Sequence, residues 1–464
     1  FDGILFLWGF FRTGKWKTGC TCRRLEIIIQ VGMFYNRSCR RILPTVLFTT
    51  GGKILKQIAD LHIHSRFSMA TSKDGTVEML DLWARKKGIT LIGTGDMTHP
   101  LWRQELKEKL IPAEQGLFRL KEEYVLPEAL QYPGNSPRFV LSGEISSIYK
   151  KDGKTRKVHS LILLPGFHEA DVFAARLEKI GNIHSDGRPI LGLPCHDLLE
   201  IMLEVSEEGM YIPAHIWTPH FSLFGAKSGF DTIEECFGDL TPYIHALETG
   251  LSSDPVMNWQ ISALDGYQLV SHSDAHSPSK LGREADLLNM ELSYEGLWNA
   301  VQKGEGLEGT IEFFPEEGKY HYDGHRKCGV CLSPWEAEKY NGICPVCGKK
   351  LTMGVDHRIL QLSDRDEDTA AMPESGRPYE SLVPLPEVIS ACVGFSTASK
   401  KVQGQYEMLL GKLGAEFEIL RKVPCEDIRT VGGASLAEGI RRLRAGEVIR
   451  KPGFDGEYGK IELF

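Results

Sequence analysis

From residue 54 to about 313, short apolar runs alternate with segments whose apolar residues recur every three to four positions. KQIADLHI, ITLIGTGD, RFVLSGEIS, KVHSLILLP, RPILGLP, MYIPAHI, HALETG, YQLVSHSD and GTIEFF read as buried strands. GTVEMLDLWARKKG, EADVFAARLEKIG, HDLLEIMLEVS, DPVMNWQISALDG and SYEGLWNAVQKGEG read as helices. The first of these repeats Val77, Leu80 and Ala84 at helical spacing and stops at Gly88. The alternation predicts a parallel α/β architecture, either a barrel or an open sheet. Polar residues gather where the strands end: His62, His64, Asp96, His99, Glu144, His159, His215, Glu248, Asp274 and His276. In an α/β barrel that edge is the face on which chemistry is built.

The pattern changes outside this body. Residues 1–53 are basic, carry three cysteines and keep neither a helix nor a strand period. They read as a spurious or disordered extension, in-frame upstream sequence ahead of a native start near Leu55. The predicted domains are this extension, a barrel at 54–318, a small metal-stapled unit at 319–362, a charged, Pro-containing linker at 363–384 and a mostly helical domain at 385–464. The chain is 42 % hydrophobic and 25 % charged, with no apolar run near the ~20 residues of a membrane span. The seven cysteines outside the Cys-x-x-Cys pairs are scattered, which suits a reducing compartment, so a cytoplasmic protein with no membrane partner is expected. The net charge of −8 hides nine Lys/Arg against Asp2 and Glu26 in residues 1–53, which leaves −15 on the rest. An acidic body of this kind argues against a nonspecific nucleic-acid coat and suits a carrier of divalent cations.

His62-x-His64 and Asp274-x-His276 each put two ligand-type groups on one face of an extended segment. Glu144 stands alone in an apolar strand, and His159 and His215 close two others. Any one strand-end His is most often hydrogen-bonded or solvated. The joint occurrence on one face points instead to a centre for divalent cations. Further along, Cys328, Cys331, Cys344 and Cys347 form Cys-x2-Cys-x12-Cys-x2-Cys, the spacing of a four-cysteine structural zinc ribbon. No Gly-x-x-x-x-Gly-Lys-Ser/Thr loop occurs, so ATP-driven work has no chemical basis in the chain.

The ordered stretches DLHIHS, GTGD, SGE, VHSLIL, PAHI and SHSDAHSP resemble the motifs of the polymerase and histidinol phosphatase (PHP) family. That resemblance implies a distorted (β/α)7 barrel holding two or three divalent ions (Zn2+, Mg2+ or Mn2+), besides the one structural Zn2+. It implies His62, His64, Glu144 and Asp274 on the first metal, and Glu144, His159 and His215 on the second. His276 with the Asp96–His99 region would hold the third. One departure stands out: a family His six positions after His64 is Ala70 here.

The barrel followed by CPVCGKKLTMGVDHRI and by TVGGASLAEGIRRLRAGEVIRKPGFDGEYGKI resembles the endonuclease Q family more specifically. The resemblance implies a metal-dependent DNA-repair endodeoxyribonuclease. It would hydrolyse the phosphodiester 5′ to hypoxanthine, uracil, xanthine or an abasic site, in double- or single-stranded DNA. His62, His64, Glu144 and Asp274 would carry the catalysis. Arg66, Ser68 and Lys73, which surround Ala70, and Trp217, Phe221 and Lys227, in the loop after His215, are the expected DNA contacts. The basic stretch RRLRAG with Arg450 and Lys451 is a further phosphate-gripping candidate, against a plain solvated helix face. No clear sliding-clamp motif marks the C-terminus. The competing readings are a PHP phosphatase of a small phosphate monoester and a non-catalytic lesion-binding module.

Overall fold

A computed structural model of the chain describes Val31–Gly32, Thr45–Val46 and residues 55–464 except 133, 135, 368 and 369. It divides into two units, Phe1–Gly52 and Lys53–Phe464. In the first, Val31–Gly32 pairs antiparallel with Thr45–Val46, and the rest of the expected extension lies outside the described residues.

In the second unit seven strands make a ring. β1 (Leu55–Asp60) runs parallel to β2 (Leu91–Gly93), and β2 runs parallel to β3 (Arg138–Lys151). β3 then turns back antiparallel onto β4 (Lys154–Leu164), and β4 pairs antiparallel with β5 (Met210–Pro213). β6 (Ala246–Glu248) and β7 (Gln268–Val270) are parallel. The Ile216 N–H donates to the Glu248 carbonyl at 3.1 Å and joins the end of β5 to β6. A parallel bridge between Ile63 and Ala275 closes the ring from the end of β7 onto the end of β1. Outside the ring, β8 (Ala285–Met290) adds antiparallel to β1 and carries β9 (Leu307–Glu312).

The expected all-parallel alternation therefore fails at β3–β4. The cause is local: Asp152 and Gly153 have φ of 51° and 73°, the left-handed pair of a two-residue hairpin turn. The long hairpin has a consequence for the site, because it brings Glu144 on β3 and His159 on β4 to neighbouring registers. Of the predicted helices, α1 (Val77–Lys87) runs from the Thr76 cap to Gly88 at φ 86°. α2 (Pro100–Lys109) lies outside the predicted helices, whereas α3 (Phe167–Glu178), α4 (Cys195–Val205) and α5 (Tyr294–Lys303) match them. DPVMNWQISALDG does not make one helix: it breaks into a short α turn at Pro255–Trp259 and a 3-10 turn at Ser262–Leu264.

The stretch expected as a linker is tied down. Arg377 donates to the Leu307 and Gly304 carbonyls, Tyr379–Ser381 extends β9 as a parallel strand, and Leu382 and Val383 are buried. Charge and Pro hid a backbone segment that satisfies a sheet edge. Beyond it come α6 (Leu385–Val393), α7 (Lys400–Leu413), α8 (Glu416–Arg421), α9 (Cys425–Gly432) and α10 (Ala434–Arg444). This helical region is fastened to the barrel by Lys87 at the end of α1, whose Nζ lies 2.8 Å from Glu416, with both side chains nearly fully buried. Glu416 also accepts from the Leu385 N–H and the Tyr406 hydroxyl. Removing one partner strands the other charge. Lys87→Met should therefore destabilise the protein by about 3–5 kcal/mol in urea unfolding, far more than a surface ion-pair deletion.

Candidate metal centre

The segments just past β1, β5 and β7 and the middles of β3 and β4 deliver their polar side chains to one buried spot, so Glu144 and His159 are not the strand-end residues the sequence pattern suggests. Ligand atoms of His62, His64, Glu144 and Asp274 all lie within 4.8 Å of one another, and so do those of Glu144, His159 and His215. Glu144 belongs to both groups. It is fully buried, and His159 Nδ1 at 2.7 Å, His215 Nε2 at 3.1 Å and His64 Nε2 at 3.3 Å surround it. Burial alone would raise its pKa, but the charges of His159, Arg188 and His62 hold it well below the usual carboxylate range. Asp274 Oδ1 is 3.0 Å from His64 Nε2 and 3.7 Å from His62 Nε2.

The backbone is bent to make this possible. His215, Asp274 and Asp96 have φ of 32°, 47° and 47°, values L residues other than Asn and Asp seldom adopt. At His215 such strain costs of order 1–3 kcal/mol and persists where the surrounding structure imposes it, while Asp274 and Asp96 tolerate the left-handed region more readily.

Behind the inner residues stands a layer that sets ring orientation. His62 Nδ1 lies 3.0 Å from both Glu248 oxygens, which turns Nε2 toward Glu144 and Asp274. Glu248 also receives the His215 N–H at 2.8 Å and His272 Nδ1 at 2.8 Å, and His272 Nε2 reaches Asp286 at 3.1 Å. Burial opposes charge on both partners. His62 and His272 nonetheless hold Glu248 down to about 2, and Asp286 and Glu248 push His272 up to about 10. Glu248 stands among the strand-end residues, but nothing in its sequence context gives it this role; His272 and Asp286 carry no such signal.

The donor set fits divalent cations. His62 Nε2 is fully buried with no hydrogen-bond partner, aimed at two carboxylates. Burial would neutralise His62 and His64, yet Glu248 and Glu144 around the first and Asp274 and Asp96 around the second raise both well above the ordinary imidazole range. The pocket demands positive charge, and imidazole with carboxylate is the donor chemistry that holds Zn2+ or Mn2+.

The residues expected for a third cation are placed otherwise. Asp96 Oδ1 binds His64 Nδ1 at 3.0 Å, and Oδ2 accepts from the Ser65 N–H, the Ser65 hydroxyl and the Ser68 hydroxyl. Asp96 therefore orients His64 and has no free oxygen. His99 caps α2: Nδ1 accepts from the Trp102 N–H and Nε2 lies 3.0 Å from the His184 carbonyl. His276 sits at the rim, its ring 4.6 Å from that of His64. A residue that sequence reasoning missed takes part instead: Arg188 Nη1 lies 3.0 Å from Glu144 Oε2.

The expected DNA contacts are redistributed in the same way. Trp217 is 1 % exposed and donates Nε1 to Asn258, so it is core. Ser68 serves Asp96. Phe221, at φ 63°, lies 4.8 Å from the His159 ring. Arg66 pairs with Glu105, while Lys73 and Lys227 are exposed. The C-terminal cations are largely committed: Arg441 and Arg442 to Glu438, Arg444 to the Ile419, Leu420 and Val423 carbonyls, Arg450 to Glu316 and Lys451 to Glu462. Beside Asp274 and His276 opens a cavity of about 870 Å3, whose wall includes Ala70, His220, Lys280, Arg283 and Tyr320.

In the small unit, the four groups that converge are His325, Cys328, Cys344 and Cys347, not the expected four cysteines. Cys331 turns away, its Sγ 3.9 Å from the Pro452 carbonyl. Two equivalent turns explain it. His325-x-x-Cys328-Gly329 and Cys344-x-x-Cys347-Gly348 each end on a left-handed glycine, at φ 63° and 70°. Cys331 lies two residues past the glycine that ends the first turn, in the strand Val330–Leu332. The unit buries a cluster of only Val330, Ala337, Cys344 and Leu351, too little to hold it without a staple. Cys331→Ser should keep any metal the unit binds while Cys328→Ser loses it, read by metal analysis of the purified variants. In the barrel, Glu248→Gln should weaken metal retention against a chelator by roughly 10–100-fold, because Glu248 orients His62 and holds the backbone of His215.

Residues 384–447 match the family of the MJ0043 C-terminal domain. An uncharacterized Methanocaldococcus jannaschii protein, MJ0043, is 31 % identical over 286 residues, which are 59 % of this chain but 35 % of that protein. The chain thus spans about a third of that relative's length. The crystal structure of a lesion-specific endonuclease, EndoQ of Pyrococcus furiosus, superposes with a TM-score of 0.76 at 32 % identity, covering 88 % of this chain and 95 % of that one. An endonuclease Q bound to a 27-mer duplex with an abasic lesion at the active site matches with a TM-score of 0.76 at 31 % identity, over 88 % of this chain and 96 % of that one. With identity above 30 % across nearly the whole of a solved relative, the chain belongs to the endonuclease Q family.

Proposed function

We propose that the protein is a metal-dependent DNA-repair endonuclease that hydrolyses the phosphodiester 5′ to a deaminated base or abasic site. The single observation that carries this reading is the joint geometry of the site: two donor groups share the buried Glu144 beside a large cavity, in a chain whose solved relative holds an abasic duplex at its active site. The barrel would hold two cations, one on His62, His64, Glu144 and Asp274, the other on Glu144, His159 and His215. When bound, divalent cations at such a site neutralise phosphate oxygens and acidify water.

The chain's own residues do the rest. Glu248 and Asp96 fix the ring orientations of His62 and His64, so that the donors do not reorganise during the reaction. Asp274, about a quarter exposed, is the carboxylate open to the cavity. It is placed to accept a hydrogen bond from an attacking water. Addition of that water across the P–O3′ bond leaves a 3′-hydroxyl and a 5′-phosphate on the lesion nucleotide. The cavity would receive that nucleotide once it leaves the stack, a displacement that is cheapest where pairing is already lost. Its walls come from the barrel, from the approach to the small Cys/His unit and from Tyr458, between the antiparallel strands Ile449–Lys451 and Lys460–Glu462, a reach that a small monoester would not need.

A duplex bearing one deoxyinosine, deoxyuridine or abasic site should be incised once, on the 5′ side, while the undamaged duplex stays intact. The readout is a sequencing gel. No incision beside any of the three, with turnover of p-nitrophenyl phosphate, would leave a phosphomonoesterase. Asp274→Asn should lower incision by at least about 10²-fold while duplex binding persists. Metal analysis should return more than one equivalent per chain, since the small unit accounts for one.

A further inference from the structure

We infer that Arg188 is a catalytic residue that grips the scissile phosphate, standing where a third cation would otherwise act. The inference rests on the endonuclease reading above. Arg188 touches the site through one bond, Nη1 to Glu144 Oε2 at 3.0 Å. A guanidinium has five N–H donors. No other side-chain bond of Arg188 is present among the described residues, and none of its nitrogens is both buried and unpaired. Its other edge is therefore accessible to solvent, with its side chain 22 % exposed.

The chain builds a rigid mount for this side chain. The Gly187 N–H donates to the Phe67 carbonyl at 3.0 Å, and Asp186 Oδ1 accepts from the N–H groups of both Met69 and Arg188. The Ser146 N–H donates to the Pro189 carbonyl on the other side. Gly187 packs so closely that a Cβ there would collide with Asp96 Oδ2 and Ser68 Oγ. The corner around Ala70 and Asp96, where a third metal was expected, is thus used to seat the loop that carries Arg188.

Charge balance separates this role from simple neutralisation of Glu144. Two divalent cations would outweigh the charges of the two carboxylates in direct reach, Glu144 and Asp274, while Glu248, Asp96 and Asp286 sit behind the histidines with His272 among them. A further fixed cation in contact with Glu144 repels them unless an anion joins the site. A phosphodiester supplies that anion, and an accessible guanidinium edge matches two of its oxygens.

The test compares wild-type holoenzyme with Arg188→Gln and Arg188→Lys on two nicked duplexes. One carries a 5′-phosphate on the lesion nucleotide and the other a 5′-hydroxyl, so neither can be cut at that bond. Arg188→Gln should lose about tenfold of the preference for the phosphorylated nick. It should bind the hydroxyl nick within about twofold of wild type and keep its metal content, while incision of the intact duplex falls about 10²–10³-fold. Arg188→Lys should recover part of the phosphate preference, because charge remains without the fork. Equal weakening on both nicks, or loss of metal from Arg188→Gln, would show a brace for Glu144 and overturn the inference. Unchanged incision would overturn it as well. Failure of the wild type to incise any lesion duplex would defeat the endonuclease reading first and remove this inference with it.

Discussion

A carboxylate with no access to water sits at the centre of the structure, and its surroundings are arranged to keep it charged. Glu144 is fully buried in the middle of a strand with no other acidic residue. An unpaired ion in that position is prohibitively costly. Three imidazoles within 3.3 Å and one guanidinium at 3.0 Å answer that cost, and they come from the segment after β1, from β4, from the segment after β5 and from the loop before residue 190. The positive φ at His215 and Asp274 follows from the same demand, since the chain must bend out of extended geometry to aim these groups inward.

The second layer extends the constraint outward. Glu248, His272 and Asp286 form a line of alternating charge from His62 to the antiparallel strand β8. Asp96 does the same for His64, using Ser65 and Ser68 to satisfy its second oxygen. Orientation at the inner donors is therefore set by residues that do not themselves line the cavity. The helical C-terminal region and the small Cys/His unit do not supply donors to this centre. They give the barrel mouth its walls: Tyr320, His321 and Tyr458 face the same cavity as Asp274. A buried ion pair between Lys87 and Glu416 and the pairing of residues 379–381 with β9 hold that arrangement to the barrel.

Much of this was legible in the residue order. Period-two apolar runs and period-3.6 segments located the barrel strands and most helices, because burial on one or both faces leaves that imprint directly. Strand-end His, Glu and Asp marked one chemical face, since the residue after a barrel strand points to the mouth wherever the strand sits. His62, His64, Glu144, His159, His215 and Asp274 all meet there. The repeated Cys-x-x-Cys spacing revealed a metal-stapled unit, but two cysteines three apart look the same whether they share a turn or straddle one. Only the position of Gly329 after Cys328 shows that His325 belongs to the turn and Cys331 does not.

What the sequence by itself determined was the class of fold, the existence of the centre and the type of its inner donors, all of which depend on residue type and local period. What only the tertiary structure decided was which groups face each other. Asp96 and His99 have ligand chemistry, yet hydrogen bonds from Ser65, Ser68 and Trp102 use it up. Trp217 reads as a wedge and is core. Arg188 lies in a Gly-containing loop with no period or motif around it, and it reaches Glu144 across 44 residues. Partners distant in sequence leave no local imprint, because the energy that selects them is electrostatic and acts through space, not along the chain.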